Sequence, residues 1–139
     1  MEDVSLHILD IAENALRAGA KHITIRLAQG KQADRLVLEV TDDGEGMDEE
    51  TMERSVDPFF TTKHGKKIGL GLPLLAQAAE EAGGKLEVQS APGKGTKVIA
   101  TFGLSHIDRK PLGNIEETLQ CLKATHPEVC FRFENVETE

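Results

Sequence analysis

Two pairs of strand-like segments, each preceded by a helix-like segment, constrain the fold of this chain more than any other feature. Residues 22–28 alternate and are rich in β-formers, and the turn-like sequence QGKQAD leads from them into a second such run, RLVLEVT. The segments KLEVQSA and TKVIATFGL form the other pair, joined by the tight-turn sequence PGKG. Each pair is typical of a β-hairpin.

Helical periodicity places helices between and before these strands. Apolar residues recur at helical spacing over residues 3–18, which predicts an amphipathic helix. Residues 48–54 predict a short helix with Asp48 as its N-cap and acidic residues in its first turn. After Pro73, the run LLAQAAEEA predicts another helix, because proline is well tolerated in a first turn.

The order of these elements predicts an α/β fold, specifically a two-layer α/β sandwich in which a mixed sheet carries its helices on one face. The strand pairs are separated by helices without strict alternation, which excludes a doubly wound order. Further along, Asn114 and Glu117 resemble a capping box ahead of a helix, and VCFRFENV predicts a last strand, added to a sheet edge or to a partner. We expect residues 1–104 to form one unit and residues 105–139 a connector, helix and strand packed on or beside it.

Length, charge and cysteine content exclude several classes of function. A chain of 139 residues with 39% apolar residues suits one ordinary core. The net charge of -8 disfavours broad binding to nucleic acid or to an anionic membrane. Cys121 and Cys130 have no CxxC spacing, so we expect reduced thiols in a cytoplasmic protein. No apolar run approaches the roughly 20 residues of a membrane span, and no signal peptide is evident at the start.

Four polar residues follow one stripe of the first predicted helix. At about 100° per residue, His7, Asp10, Asn14 and Arg17 fall within roughly 80° of one another, away from the apolar face. An amide oxygen is a suitable neutral ligand for Mg²⁺, and an arginine one turn further along can reach phosphates that share the ion. Taken alone, the stripe is better explained as the solvated polar face that any amphipathic helix has.

An acidic glycine segment, TDDGEG, follows the second predicted strand. A calcium loop of the EF-hand type is strongly disfavoured, because it would place Glu39 and Thr41 at liganding positions and a strand where a helix is required. In a second interpretation, the Asp42 carboxylate accepts a hydrogen bond from an exocyclic amine such as that of adenine, and Gly44 and Gly46 let the backbone approach the base. A plain acidic turn remains the alternative.

The segment DPFFTTKHGKKIGLGLPLL contains the densest basic cluster of the chain, and we expect a loop that runs into a helix. With the helix stripe, DxGxG, GLGL and PGKGT in this order, the chain resembles the ATP-binding domain of the GHKL superfamily, which includes histidine kinases, anti-sigma-factor kinases, DNA gyrase, mismatch-repair ATPases and a chaperone. The resemblance covers roughly residues 6–104 and is closest to the histidine kinases. It implies the Bergerat fold, a two-layer α/β sandwich.

The resemblance also implies a Mg-ATP site. Asn14 would hold Mg²⁺, and Arg17 would occupy a phosphate-binding position. Asp42 would contact the adenine amine with support from Thr96. The remaining implied contacts are Gly44, Gly46 and Met47 at the base, Phe60, Thr62 and Lys63 in a lid, and Lys67, Gly69, Leu70, Gly71 and Leu72 at the phosphates.

Two positions depart from the family pattern. Lys67 stands where the second glycine box usually has its first glycine, so an ammonium would replace a backbone contact to phosphate. Asp10 stands four residues before the asparagine, where the family's hydrolases and serine kinases have a glutamate base; its carboxylate is one methylene shorter and is a candidate for orienting a water or a hydroxyl.

Three functions are compatible with such a site. The first is a stand-alone kinase that transfers the γ-phosphate of ATP to a histidine or serine of a separate protein, since we expect no phosphoacceptor helix ahead of the ATP-binding motifs. The second is a nucleotide-gated binding module that resembles the anti-sigma proteins. The third is a slow ATPase. The sequence leaves the partner, the acceptor residue and the oligomeric state open.

Overall fold

A computed structural model describes residues 4–30, 34–55, 71–103 and 115–138 of the chain. Helices and strands occur where the periodicity predicts them. The helices are α1 Val4–Arg17, α2 Glu49–Ser55, α3 Gly71–Glu81 and α4 Ile115–Thr125, and the strands are β1 His22–Gly30, β2 Arg35–Asp42, β3 Lys85–Ser90, β4 Thr96–Gly103 and β5 Cys130–Thr138.

The strands form one mixed sheet in the order β3-β4-β2-β1-β5. Both predicted hairpins are confirmed, because β1 pairs antiparallel with β2 and β3 pairs antiparallel with β4. The two hairpins are joined by antiparallel pairing between β2 and β4. The last predicted strand adds to a sheet edge: β5 runs parallel to β1.

The core lies between one face of the sheet and the helices. In β1 the alternate residues Ile23, Ile25 and Leu27 are fully buried, as the period of two requires for a strand with one covered face. Helices α1, α3 and α4 cover this face with small and branched side chains. Those that complete the core include Ile8, Ile11, Ala12 and Ala15 of α1, Leu75 and Ala79 of α3, and Leu119 and Leu122 of α4. The predicted two-layer sandwich is confirmed.

The opposite face of the sheet carries charges that pair across the strands. Arg26 on β1 lies 3.3 Å from Glu39 on β2 and 3.7 Å from Glu134 on β5. Lys97 on β4 lies 3.4 Å from the same Glu39. Such exposed pairs add little free energy each, but they give this face the polar surface that water requires.

Local signals also set the ends of the helices. Asp48 accepts a hydrogen bond of 2.7 Å from the backbone N–H of Thr51, so the predicted N-cap of α2 is confirmed. Helix α1 is followed by Gly19 at φ 78°, the left-handed conformation that ends many helices. The helix predicted after the glycine run begins at Gly71 and has Pro73 in its first turn. The capping-box residue Asn114 lies outside the described residues.

Candidate functional site

One row of the sheet's helix-facing side is polar, whereas the rows behind it are apolar. Asp42 at the end of β2 lies opposite Thr96 at the start of β4, and Thr96 lies opposite Ser90 at the end of β3. The next row inward on the same side consists of Val40, Val98 and Val88. All three polar residues are half-buried. A carboxylate and two hydroxyls therefore stand where the sheet would otherwise continue its hydrophobic face.

The Asp42 carboxylate is held by backbone donors. Its Oδ1 accepts a hydrogen bond of 2.8 Å from the N–H of Gly44, and the backbone N–H of Thr96 also donates to the carboxylate. Burial raises the pKa of Asp42 above its usual range, and the neighbouring negative charge of Asp43 acts in the same direction against these two donors. The structure thus holds a partly desolvated acceptor in a fixed orientation.

Asp43 has a different environment, which the sequence reasoning missed. Its Oδ1 accepts hydrogen bonds from the backbone N–H groups of Lys21, at 2.7 Å, and His22, at 2.9 Å. Its Oδ2 lies 2.7 Å from Nδ1 of His22. The hydrogen bonds from His22 and Lys21 lower the pKa of Asp43 to about 2. Strand alternation could have indicated the difference, because successive residues point to opposite faces.

Ser90 joins the loop after β2 to the start of β4. Its hydroxyl oxygen accepts a hydrogen bond of 2.8 Å from the N–H of Met47 and donates one of 2.8 Å to the carbonyl of Gly95. Its Oγ also lies 2.9 Å from Oγ1 of Thr96. Ser90 was also absent from the predicted site, although a serine on the inward-facing side of the predicted strand KLEVQS could have indicated it.

The predicted glycines make close contacts with the protein's own backbone. A Cβ on Gly44 would lie 2.9 Å from the carbonyl oxygen of Ala18, and one on Gly46 would lie 2.1 Å from that of Ala91. Gly46 also has a φ of 72°, which favours glycine. Gly95 was not among the predicted site residues, yet a Cβ at this position would lie 2.0 Å from the carbonyl oxygen of Asp42. These glycines allow the two loops and the end of α1 to pack tightly around Asp42.

The end of α1 reaches this cluster. The N–H of Glu45 donates a hydrogen bond of 2.9 Å to the carbonyl of Ala18, so the acidic loop is attached just beyond the last turn of the helix. Asn14, half-buried, lies one turn earlier, with its Oδ1 3.4 Å from Nη1 of Arg17. Asp10 is exposed one further turn back. The side-chain orientation of His7, the first member of the predicted stripe, is outside the described part of the chain.

The structure therefore brings the predicted residues Asp42, Gly44, Gly46, Met47 and Thr96 into one cluster, with Asn14 and Arg17 on the adjacent helix. Other predicted residues lie outside the described ranges, namely Phe60, Thr62, Lys63, Lys67, Gly69 and Leu70.

The remaining two predicted contacts lie at the start of α3. Gly71 is its first residue. The side chain of Leu72 is buried in the core with 6% exposure, so Leu72 has only its backbone to offer a ligand.

Residues 2–106 match the family model described as histidine kinase-, DNA gyrase B- and HSP90-like ATPase. The chain belongs to this ATPase family. The membership agrees with the motif order and with the mixed sheet, and it makes the polar row at Asp42 the candidate site of a histidine kinase-like ATPase domain.

Curated relatives of this ATPase domain include sensor kinases. The sensor protein kinase FleS of Pseudomonas aeruginosa is 39% identical over 111 residues, which are 79% of this chain and 27% of FleS. Sporulation kinase C of Bacillus subtilis is 34% identical over 88 residues, which are 63% of this chain and 20% of that kinase. The chain thus spans about a quarter or less of the length of these two relatives.

A solved structure shares the fold of the domain. The Aquifex aeolicus MutL ATPase domain, complexed with ADP, superposes with a TM-score of 0.63 at 17% identity, covering 92% of this chain and 57% of that one.

Two negative findings apply to the described ranges only. No helix there is long and apolar enough to cross a membrane, and no group of three or more His, Cys, Asp or Glu side chains there is arranged to hold a metal ion.

Proposed function

We propose that this chain binds ATP together with Mg²⁺ and serves as the ATP-binding unit of a protein kinase that phosphorylates or controls a separate protein. The single observation that supports the proposal best is the polar row formed by Asp42, Thr96 and Ser90 on the helix-facing side of the sheet. Membership of an ATPase family and similarity to proteins named as kinases support it further.

Asp42 suits recognition of adenine. Its carboxylate is half-buried and oriented by the N–H groups of Gly44 and Thr96, and an ionised carboxylate can only accept hydrogen bonds. The exocyclic amine of adenine is a donor, so the two groups are complementary. A preformed acceptor in a partly desolvated site forms a stronger hydrogen bond than a freely hydrated one. Met47 and Gly46 would line the base beside it.

The end of α1 suits the phosphates and the ion. The amide oxygen of Asn14 is a neutral oxygen ligand of the kind that Mg²⁺ accepts, and the Arg17 guanidinium lies 3.4 Å from it, where it can neutralise phosphate charge. When bound, Mg²⁺ supplies charge neutralisation at the phosphates. Lys63 and Lys67 and the amides of the GLGL run are proposed to complete this part of the site.

The kinase assignment needs a group that handles the proton of the acceptor. Asp10 is exposed one turn before Asn14 on the same helix, so we assign it the role of orienting the acceptor hydroxyl or imidazole. Residues 105–139 are proposed as a region that supplies contacts to the protein partner. In the described part of this region, α4 packs against α1, and β5 pairs with β1 at the edge of the same sheet that carries the polar row.

The proposal is tested by titrating the full chain with ATP and ADP in the presence of Mg²⁺ by calorimetry. Proteins from a cell extract are then captured with and without a non-hydrolysable ATP analogue and incubated with γ-labelled ATP. Saturable ATP binding and transfer of label to a captured protein are expected. ATP-dependent capture without transfer would indicate a nucleotide-gated binding module, and release of phosphate without a labelled protein would indicate an ATPase. Absence of ATP binding would reject the proposed function.

A further inference from the structure

Ser90 occupies the outer end of the polar row, and neither the family motifs nor the proposed ATP contacts include it. It is the last residue of β3, opposite Thr96 on β4, and Thr96 in turn lies opposite Asp42 on β2. Ser90 is therefore one strand beyond Thr96 and two beyond Asp42, too far along the row for a primary role in holding the base. Its hydrogen bonds, however, act on both neighbouring parts of the site.

The number of protons on the Ser90 hydroxyl determines the direction of these hydrogen bonds. A serine hydroxyl has one proton to donate and two lone pairs to accept. The proton is directed to the carbonyl of Gly95, at 2.8 Å, and one lone pair accepts the N–H of Met47, also at 2.8 Å. Thr96 Oγ1, 2.9 Å away, must then donate its own proton to the remaining lone pair. The proton of the Thr96 hydroxyl is thereby directed away from Asp42, towards β3.

We propose that Ser90 is a positioning residue that sets base specificity. By taking the proton of Thr96, it leaves that hydroxyl with only lone pairs to offer the 6-position of a purine and so favours a 6-amino over a 6-oxo purine nucleotide. The inference rests on the proposed binding of ATP with its base at Asp42 and Thr96.

The chemistry of the two purine classes explains why the direction of one proton matters. The 6-amino group of adenine donates hydrogen bonds, whereas the 6-oxo group of hypoxanthine accepts them. With Ser90 present, Asp42 and Thr96 both offer acceptors, which match the amine and repel the oxo group. Without Ser90, the Thr96 hydroxyl is free to rotate and to donate to a 6-oxo group.

The test measures dissociation constants of ATP and ITP, each with Mg²⁺, by calorimetry on the full chain and on Ser90→Ala and Ser90→Thr. We expect Ser90→Ala to reduce the preference for ATP over ITP by about fivefold, which is the size of one ordinary hydrogen bond. Loss of the contacts to Met47 and Gly95 would lower the affinity for both nucleotides to the same extent and leave the ratio of the two dissociation constants unaltered. Ser90→Thr retains the hydroxyl and is expected to restore the ratio.

If thermal unfolding shows that Ser90→Ala does not fold, Ser90→Cys provides the second variant, because a thiol has nearly the same shape but is a weak donor and acceptor. The same reduction in the ratio is expected from it. An unchanged ratio in a folded variant rejects the inference, even where both affinities fall. If ATP binding depends on Asp42 but the Ser90→Ala variant keeps the wild-type ratio of ATP to ITP affinity, only the role of Ser90 is rejected and the proposed function stands. A wild-type protein that binds neither nucleotide would reject the proposed function and this inference together.

Discussion

Asp42 and Asp43 are adjacent in the sequence, yet the fold shifts their pKa values in opposite directions. Burial raises the pKa of Asp42, whereas hydrogen bonds from His22 and Lys21 lower the pKa of the exposed Asp43 to about 2. One carboxylate faces the interior of the site and the other fastens the loop to the start of β1. Asp42 is therefore left as a partly buried acceptor, whereas Asp43 is used to hold the loop.

Asp42→Asn is expected to weaken ATP binding without unfolding the protein. The asparagine oxygen can still accept the N–H of Gly44, but the charged acceptor for the adenine amine is lost. A hydrogen bond to a charged group is worth about 1.5–3 kcal/mol, so calorimetry should show a loss of affinity of roughly 10- to 100-fold. Glu45→Gln is the matched control, because Glu45 is exposed three residues further on and loses the same charge. Equal losses in the two variants would indicate a general charge effect.

The affinity for ATP is expected to depend on pH through Asp42. Its pKa is raised above the ordinary value of 3.8, so its charge is fully present above the raised pKa and is lost as pH falls through it. Wild-type protein should lose affinity in that range, starting at a higher pH than an ordinary aspartate would. The same affinity measurements on Asp42→Asn serve as the reference, because protonation of ATP itself affects both proteins equally. Identical pH profiles for the two proteins would contradict the assignment.

Asp43→Asn is expected to lower stability in a pH-dependent way. Because the folded pKa of Asp43 is lowered from 3.8 to about 2, the stabilisation is present above pH about 4 and is lost as pH falls towards 2. Denaturant unfolding of wild type and variant should therefore differ at neutral pH and converge in acid. The difference should be modest and reduced by salt, since the Asp43 and His22 side chains are exposed.

Asp43→Asn should also change the pKa of the adjacent Asp42. The negative charge of Asp43 raises the pKa of Asp42, so its removal is expected to lower that pKa. Titration of the Asp42 carboxyl carbon by NMR measures the change directly. A pKa of Asp42 that stays the same in Asp43→Asn would show that the two carboxylates are not coupled.

Gly95→Ala is expected to be more destabilising than Gly93→Ala. Both glycines have a φ near 78°, so each alanine has a similar backbone cost of about 1 kcal/mol. A Cβ at Gly93 meets no atom within 4 Å, whereas at Gly95 it would lie 2.0 Å from the backbone oxygen of Asp42. The overpacking should add about 1–3 kcal/mol to the loss of unfolding free energy and should also reduce ATP affinity. Equal losses in the two variants would show that the contact relaxes without cost.

Asp10→Asn separates phosphoryl transfer from nucleotide binding. If Asp10 orients the acceptor, the variant should bind ATP with unchanged affinity and transfer label to the captured partner roughly 100-fold more slowly, the lower range for loss of an acid–base group. Glu13→Gln is the charge control on the same exposed helix face; its carboxylate lies 3.9 Å from Arg17, so ATP affinity is measured for this variant as well. Transfer at the wild-type rate by Asp10→Asn would exclude this role.

The helices, the strands, the two hairpins and the family could be predicted before the structure, because they depend on periodicity, turn residues and motifs within short segments. The sequence also identified Asp42 and Thr96 as candidates from the motifs around them. Three relationships became evident from the folded chain alone: β5 lies parallel to β1, Gly95 packs on Asp42, and Ser90 completes a polar row with Thr96 and Asp42. These relationships join residues far apart in the chain. They depend on which strands lie side by side in the sheet and in which register, and no local pattern contains that information.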